Sequence, residues 1–198
     1  ENATKWNTKE DVSSESKIYQ YSDFLFSTSI GTDPFLGGVL AGGSINAILG
    51  EPNHPGISDI RSVATINSGA IFRIVDFAFS IIGGESSIDI IKQVISSNTL
   101  VRGGFLDTFN HLDAIDGVYY EIVNGGVYFK TSSNSVRTTS ALLTTLTDGN
   151  WYKFKINIIS TALATLTVYE ENGTIKATSS ITTNIPTGAS RQTGRLLA

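Results

Sequence analysis

Cysteine is absent from this chain, which rules out disulfides and thiolate metal sites and leaves the redox compartment open. Methionine is absent too, and the chain begins at Glu1, so processing or a longer parent polypeptide is expected. Histidine occurs twice, as His54 and His111, and neither has a ligand-spaced partner, so no metal or cofactor is expected. Charged residues make up 16% of the chain and the net charge is −4. A nucleic-acid surface needs a clustered basic excess, which this composition does not supply. The apolar runs are broken by Gly, Ser or charge well short of the ~20 residues a spanning helix needs, so no membrane association is expected. No charged n-region with an apolar h-region opens the chain. Also missing are a Ser-His-Asp grouping, a phosphate-cradling Gly loop and a Glu-x-Asp-x-Glu run.

What the chain does have is Ser and Thr in abundance, 19 glycines, and β-branched and aromatic residues in short alternating runs. With 198 residues it suits one large sandwich, or a domain plus an arm. The clearest run is Asp116–Thr131. Val118, Tyr120 and Ile122 share one face of an extended strand, and Tyr119, Glu121 and Val123 share the other. Asn124-Gly125-Gly126 follows, and Asn-Gly suits a tight hairpin turn because both residues tolerate positive φ. Val127 and Phe129 then alternate with Tyr128 and Lys130. A hairpin of this kind needs a sheet beside it and a second layer beneath.

The rest of the chain is built to provide them. Residues 1–20 are polar and mixed in charge, with a lone Trp6, and read as an arm or linker. Tyr21–Ile30 and Ser44–Leu49 read as strands around a Gly-rich turn region at Gly31–Gly43. The two prolines of Gly50–Gly56 exclude helix and central strand, so this stretch is expected to be a structured loop. Strands follow at Ile57–Ile66, Ala70–Ile82 (placed centrally, being apolar on both faces), Ser87–Ser96 and Val101–Leu106. Asp107–Asp116 reads as a polar loop, and Ser132–Thr138 as a loop entering a strand at Thr139–Thr145. Trp151–Ser160 alternates Tyr152, Phe154, Ile156 and Ile158 against Lys153, Lys155 and Asn157, as a strand with one buried and one wet face does. Leu163–Glu170, a turn at Glu171-Asn172-Gly173-Thr174, and Ile175–Ser180 form a second Asn-Gly hairpin. About a dozen short strands with turns between them indicate an all-β, antiparallel β-sandwich.

The pieces GEPNHPG at 50–56, GFLDTF at 104–109, DGVYYEI at 116–122, GNWYKFKI at 149–156, LTVYEENGTIKAT at 166–178 and TNIPTG at 183–188 carry a resemblance in their order and spacing. Across residues 21–190 the chain resembles tailed-phage virion structural proteins with a concanavalin A-like lectin/glucanase sandwich. The resemblance implies a concanavalin A-like jelly roll over residues 21–198 and a non-enzymatic fibre, capsid-decoration or baseplate module in the virion. It implies other virion proteins and copies of the chain itself as partners, with host-surface glycan as ligand. The alternative on the same fold is a glycan-degrading enzyme, a glycosidase or polysaccharide lyase. Such domains usually finish with a strand returning beside the first. Here the chain stops at Leu196-Leu197-Ala198 before any obvious strand of that kind, so the closing strand is expected from outside these residues. The arm at 1–20 is then expected to leave the sandwich for other subunits.

No catalytic residue is assigned. Glycosidases on this fold use paired carboxylates, whereas Asp113, Asp116 and Glu121 straddle a loop and a strand and read more simply as solvated. Glycan binding calls for exposed aromatics and polar loop groups. Tyr119, Tyr128, Trp151 and Phe109 are the aromatic candidates, although strand aromatics more often belong to the core. The loop before the hairpin makes Phe109, His111, Asp113 and Asp116 the candidate ligand-binding set. A Ca²⁺ site from Asp107, Asp113 and Asp116 lacks the spacing of a known loop. His54, between Asn53 and Pro55, is expected to lock its loop by a hydrogen bond.

Overall fold

The structure is a computed structural model that describes residues 35–40, 44–51, 53–61, 69–74, 79–92, 100–107, 113–187 and 190–197. Among them there is no helix; the elements are strands β1 (Phe35–Leu40), β2 (Ser44–Glu51), β3 (His54–Arg61), β4 (Gly69–Ile74), β5 (Phe79–Ser80), β6 (Ser86–Lys92) and β7 (Leu100–Leu106). They continue with β8 (Gly117–Val123), β9 (Gly126–Ser133), β10 (Val136–Thr139), β11 (Thr144–Thr145), β12 (Trp151–Ser160), β13 (Leu163–Glu170), β14 (Ile175–Ile181) and β15 (Ser190–Leu197). The arm at 1–20 and the strand expected at Tyr21–Ile30 lie outside the described residues.

Two antiparallel sheets face each other. The larger runs β1-β4-β15-β7-β8-β9-β10, with β5 on β15 and β11 on β9; the smaller runs β14-β13-β12-β6. β2 and β3 form a separate two-stranded sheet. The expected all-β sandwich is therefore what the chain forms.

Side-chain period explains the core. β8 turns Val118, Tyr120 and Ile122 inward, β9 turns Val127 and Phe129, and β12 turns Tyr152, Phe154, Ile156 and Ile158 to meet them, all buried. β13 adds Ala164, Leu166 and Val168. The rings of Tyr120 and Phe154 stack across the sandwich with centroids 4.4 Å apart. Tyr120 carries its one polar atom into this core and donates it to Asp89 Oδ2 of β6 at 2.9 Å. Gly103 of β7 leaves the room: a Cβ there would collide with the Tyr120 hydroxyl and lie 2.6 Å from Asp89 Oδ2.

The hairpin at the centre of the larger sheet has the expected turn. Asn124 and Gly125 adopt φ of 48° and 82°, the positive pair a tight two-residue turn requires. Val118 pairs with Thr131, and Tyr119 with Lys130.

Four expectations need correction. The Gly50–Gly56 stretch is the tip of the β2–β3 hairpin, with Glu51 opposite His54, rather than a loop; a two-stranded ribbon tolerates Pro55 because each strand has an open side. The Gly-rich segment after Gly31 contains strand β1, which pairs with β4. Ser132–Thr138 is a second hairpin. Asn134 and Ser135 take φ of 49° and 66°, and the Asp116 carboxylate fixes the turn by accepting the Asn134 N–H at 2.7 Å. Lastly, the C-terminal tail is a strand in the middle of the larger sheet: β15 pairs with β4 on one side and β7 on the other. Its sequence alternates poorly, but Gly194 lies opposite Gly104 and the backbone is paired on both edges. β4 thus lies between β1 and β15, as its apolar character on both faces indicates.

Candidate functional site

Alternation that sends Tyr120 and Phe129 inward sends Tyr119, Glu121, Tyr128 and Lys130 to the opposite face of the larger sheet. On β7, Arg102 lies directly opposite Glu121. The result is a chain of charges. Lys130 Nζ lies 2.5 Å from Glu121 Oε1, and Glu121 Oε2 accepts from Arg102 Nε at 2.7 Å. Arg102 Nη2 donates to Asp113 Oδ1 at 2.7 Å, and Asp113 Oδ2 lies 3.7 Å from Arg137 Nε on β10. Arg102 and Glu121 are 5% exposed, so their mutual pairing is what makes their burial tolerable.

Beside this chain, Tyr119 packs against Leu106 and Ala114 with its ring under the Arg102 guanidinium, 5.9 Å from carbon to centroid. Its side chain is fully buried and its hydroxyl has no hydrogen-bond partner. Burial pushes this phenol up to about 12, against the opposing pull of Arg102. Tyr128 sits on the same face, opposite Glu121, and is half-buried.

Two of the sequence-predicted ligand residues meet different fates. Asp113 joins the charged chain. Asp116 is a brace: its Oδ1 accepts the Asn134 N–H, while Asp107 accepts the N–H groups of Ile115 and Asp116 at 3.1 and 2.9 Å. Phe109 and His111 lie outside the described residues. Tyr119, sought as an exposed stacking platform, is buried, because Leu106 and Ala114 close over its face of the sheet. Glu121 is a buried ion-pair member rather than a solvated carboxylate. Arg102, Lys130 and Arg137 were passed over by sequence reasoning. Lys130 was recoverable, since the Asn-Gly turn fixes its register against Tyr119; Arg102 and Arg137 need the sheet order.

A second polar cluster ties the β2–β3 tip to the smaller sheet. Trp151 Nε1 donates to Glu51 Oε2 at 2.8 Å, and Lys92 Nζ lies 2.5 Å from Glu51 Oε1. These two partners, Lys92 first, hold the Glu51 carboxyl below its usual range. His54 stacks on Trp151 with centroids 3.9 Å apart, and its Nε2 lies 3.4 Å from Glu171 without a hydrogen bond. His54 therefore docks its hairpin through its ring, in place of the expected loop-locking hydrogen bond. Trp151 is covered on that side and is a joint. Among the described residues, no three His, Asp or Glu side chains are grouped to hold a metal ion.

A family model described as SO2946-like, C-terminal domain, matches residues 53–197. Among solved structures, SO2946 from Shewanella oneidensis MR-1, a protein of unknown function, superposes with a TM-score of 0.71 at 17% identity, covering 89% of this chain and 76% of that one. The enzymatically active domain of tailspike protein 2 from bacteriophage CBA120 superposes at 0.53 with 8% identity, over 76% of this chain and 24% of that one. At such identities the likeness is one of fold. No curated protein matches by sequence.

Proposed function

We propose a glycan-binding role for this chain, which belongs to the SO2946-like C-terminal domain family. In this reading it is a lectin-like module of a phage virion structural protein, of fibre, decoration or baseplate type, and it binds host-surface glycan without cleaving it. The observation that carries the reading is the outward face of β7–β10. There a half-buried aromatic, Tyr128, stands beside polar groups already locked in place by Arg102, Glu121 and Asp113. Sugars are held by that combination, an aromatic face plus pre-set polar groups, at low ordering cost. The carboxylates on this face favour binding over hydrolysis. Glu121 is engaged by Lys130 and Arg102, and Asp113 by Arg102 and Arg137, whereas glycoside hydrolysis needs a carboxylic acid and a second carboxylate directed at the substrate. The likeness in fold to a phage tailspike domain is consistent with the virion setting.

The test is retention of bacterial surface polysaccharides on the immobilised protein, with their chain length measured before and after. Retention with unchanged length is expected, together with the chain's presence in purified particles from the host that carries its gene. Failure to retain any polysaccharide sinks the glycan reading, and absence from particles sinks the virion setting. Shortened chains would establish the second reading, a glycan-degrading enzyme.

A further inference from the structure

We infer that Asn172, at the tip of the β13–β14 hairpin, is a site of self-modification, where the backbone converts the side-chain amide to a carboxylate. This chemistry is independent of the glycan reading above.

The chain carries the Asn-Gly dipeptide twice, at Asn124-Gly125 and at Asn172-Gly173. Glycine lets its own nitrogen approach the preceding side chain, because no Cβ stands in the way. The Gly173 nitrogen gives its proton to solvent and bonds to Asn172 Cγ; the Cγ–Nδ2 bond breaks and ammonia leaves. Water then opens the cyclic imide at either carbonyl. The product is aspartate, or isoaspartate with the main chain rerouted through the side chain. Water is consumed and ammonia released, with no change of oxidation state and no cofactor.

The structure sets the two dipeptides apart. At Asn172 the reacting carbonyl is already held, since Oδ1 accepts the Thr174 N–H at 2.8 Å. Negative charge gathers on this oxygen as the nitrogen adds to Cγ, and a donor fixed on it in advance lowers the barrier. Glu171, Asn172, Gly173 and Thr174 are all exposed, and a Cβ added at Gly173 would meet nothing within 4 Å. The Gly173 N–H donates to Glu170 O at 2.9 Å, and this turn bond opens before the nitrogen reacts. An exposed loop tip opens at little cost. Asn124 sits in a fastened turn instead. Gly125 is buried and its carbonyl accepts the Leu146 N–H at 2.9 Å. β11 pairs Thr145 with Gly126 beside it, and a Cβ added at Gly126 would lie 3.0 Å from Leu142 Cδ1. Opening this turn means undoing β11 as well.

Conversion at Asn172 adds a negative charge to a chain whose net charge is −4. The charge enters the loop whose Glu171 lies 3.4 Å from His54 Nε2, at the seat of the β2–β3 tip.

The experiment holds the full chain at mildly alkaline pH and follows both sites by peptide mass spectrometry that separates Asn, Asp and isoaspartate. The same incubation in guanidinium chloride is the reference, where the two dipeptides should convert at comparable rates. In the folded chain Asn172 should convert at least about tenfold faster than Asn124. Asn172→Asp should abolish the fast phase of ammonia release, and Asn124→Asp should leave it in place; aspartate suits both turns, so neither variant is expected to unfold. Equal rates at the two sites of the folded chain, faster conversion at Asn124, or an intact Asn172 after the unfolded chain has been consumed overturns the inference. So does a fast phase that survives in Asn172→Asp.

Discussion

Single atoms decide a good deal in this sandwich. The Tyr119 hydroxyl is buried without a partner, and the phenol's pKa is raised to about 12 from an ordinary 10. The folded state thus keeps a proton that the unfolded chain releases near pH 10. Stability from this group is fully present below that pH and is lost as pH rises toward 12, by about 2–3 kcal/mol for a two-unit difference. Urea midpoints between pH 9 and 12 should fall more steeply for the wild type than for Tyr119→Phe, and parallel curves would show that the phenol titrates normally. Gly103 is a second such position. Its missing Cβ is what admits the Tyr120–Asp89 hydrogen bond, so Gly103→Ala should cost about 1–3 kcal/mol by overpacking. An unchanged melting temperature would mean that the two side chains part without cost. Neither residue announced itself. Tyr119 and Tyr120 are neighbours in sequence with opposite fates, and alternation assigned them correctly to opposite faces. Alternation could not reveal that both faces of β8 would be buried, because that depends on Leu106 and Ala114 arriving from elsewhere in the chain.

Elements were legible where a local signal specifies them. The Asn124-Gly125 turn set the register of β8 and β9, and the polar-apolar period of β12 set its buried face, so half of the sandwich core could be written from the sequence. Asn134-Ser135 was missed because neither residue is glycine; its positive φ angles are sustained by the Asp116 carboxylate, a partner eighteen positions away in sequence. The β2–β3 tip was misjudged as a loop because prolines were weighed without knowing that the ribbon has only two strands. That ribbon carries its own prediction. Lys92 and the Trp151 N–H depress the Glu51 pKa below 4.5. A depressed carboxyl stabilises the docked tip above its unfolded pKa and ceases to as pH falls through the folded value. In a Trp6→Phe background, Trp151 fluorescence should therefore show an acid step below pH 4.5 that Glu51→Gln lacks. A step of equal size in both proteins would place the dock's acid sensitivity elsewhere.

At the scale of the whole molecule, the organising fact is where β15 lies. Of the described strands in its sheet it is the last in sequence, yet it stands between β4 and β7 and joins the β1–β4 pair to the β7–β10 run. The expectation of an outside closing strand arose because a strand paired on both edges need not advertise itself by alternation; its ladder hydrogen bonds hold it. The same placement leaves the sheet divided until residues 190–197 have been added, a non-local closure of the kind that folds slowly. Removing residues 190–197 should therefore do more than shorten an edge. It exposes the facing rows of N–H and C=O groups on β4 and β7, and unpaired edges of that kind recruit other chains. The shortened protein should lose its cooperative unfolding transition and associate in sedimentation experiments. A synthetic peptide of sequence SRQTGRLL, added in trans, should restore monomeric behaviour by filling the gap, while a scrambled peptide should not. A shortened chain that remains monomeric and unfolds cooperatively at the wild-type temperature would show that β4 and β7 close on each other directly, and that β15 is dispensable to the sheet.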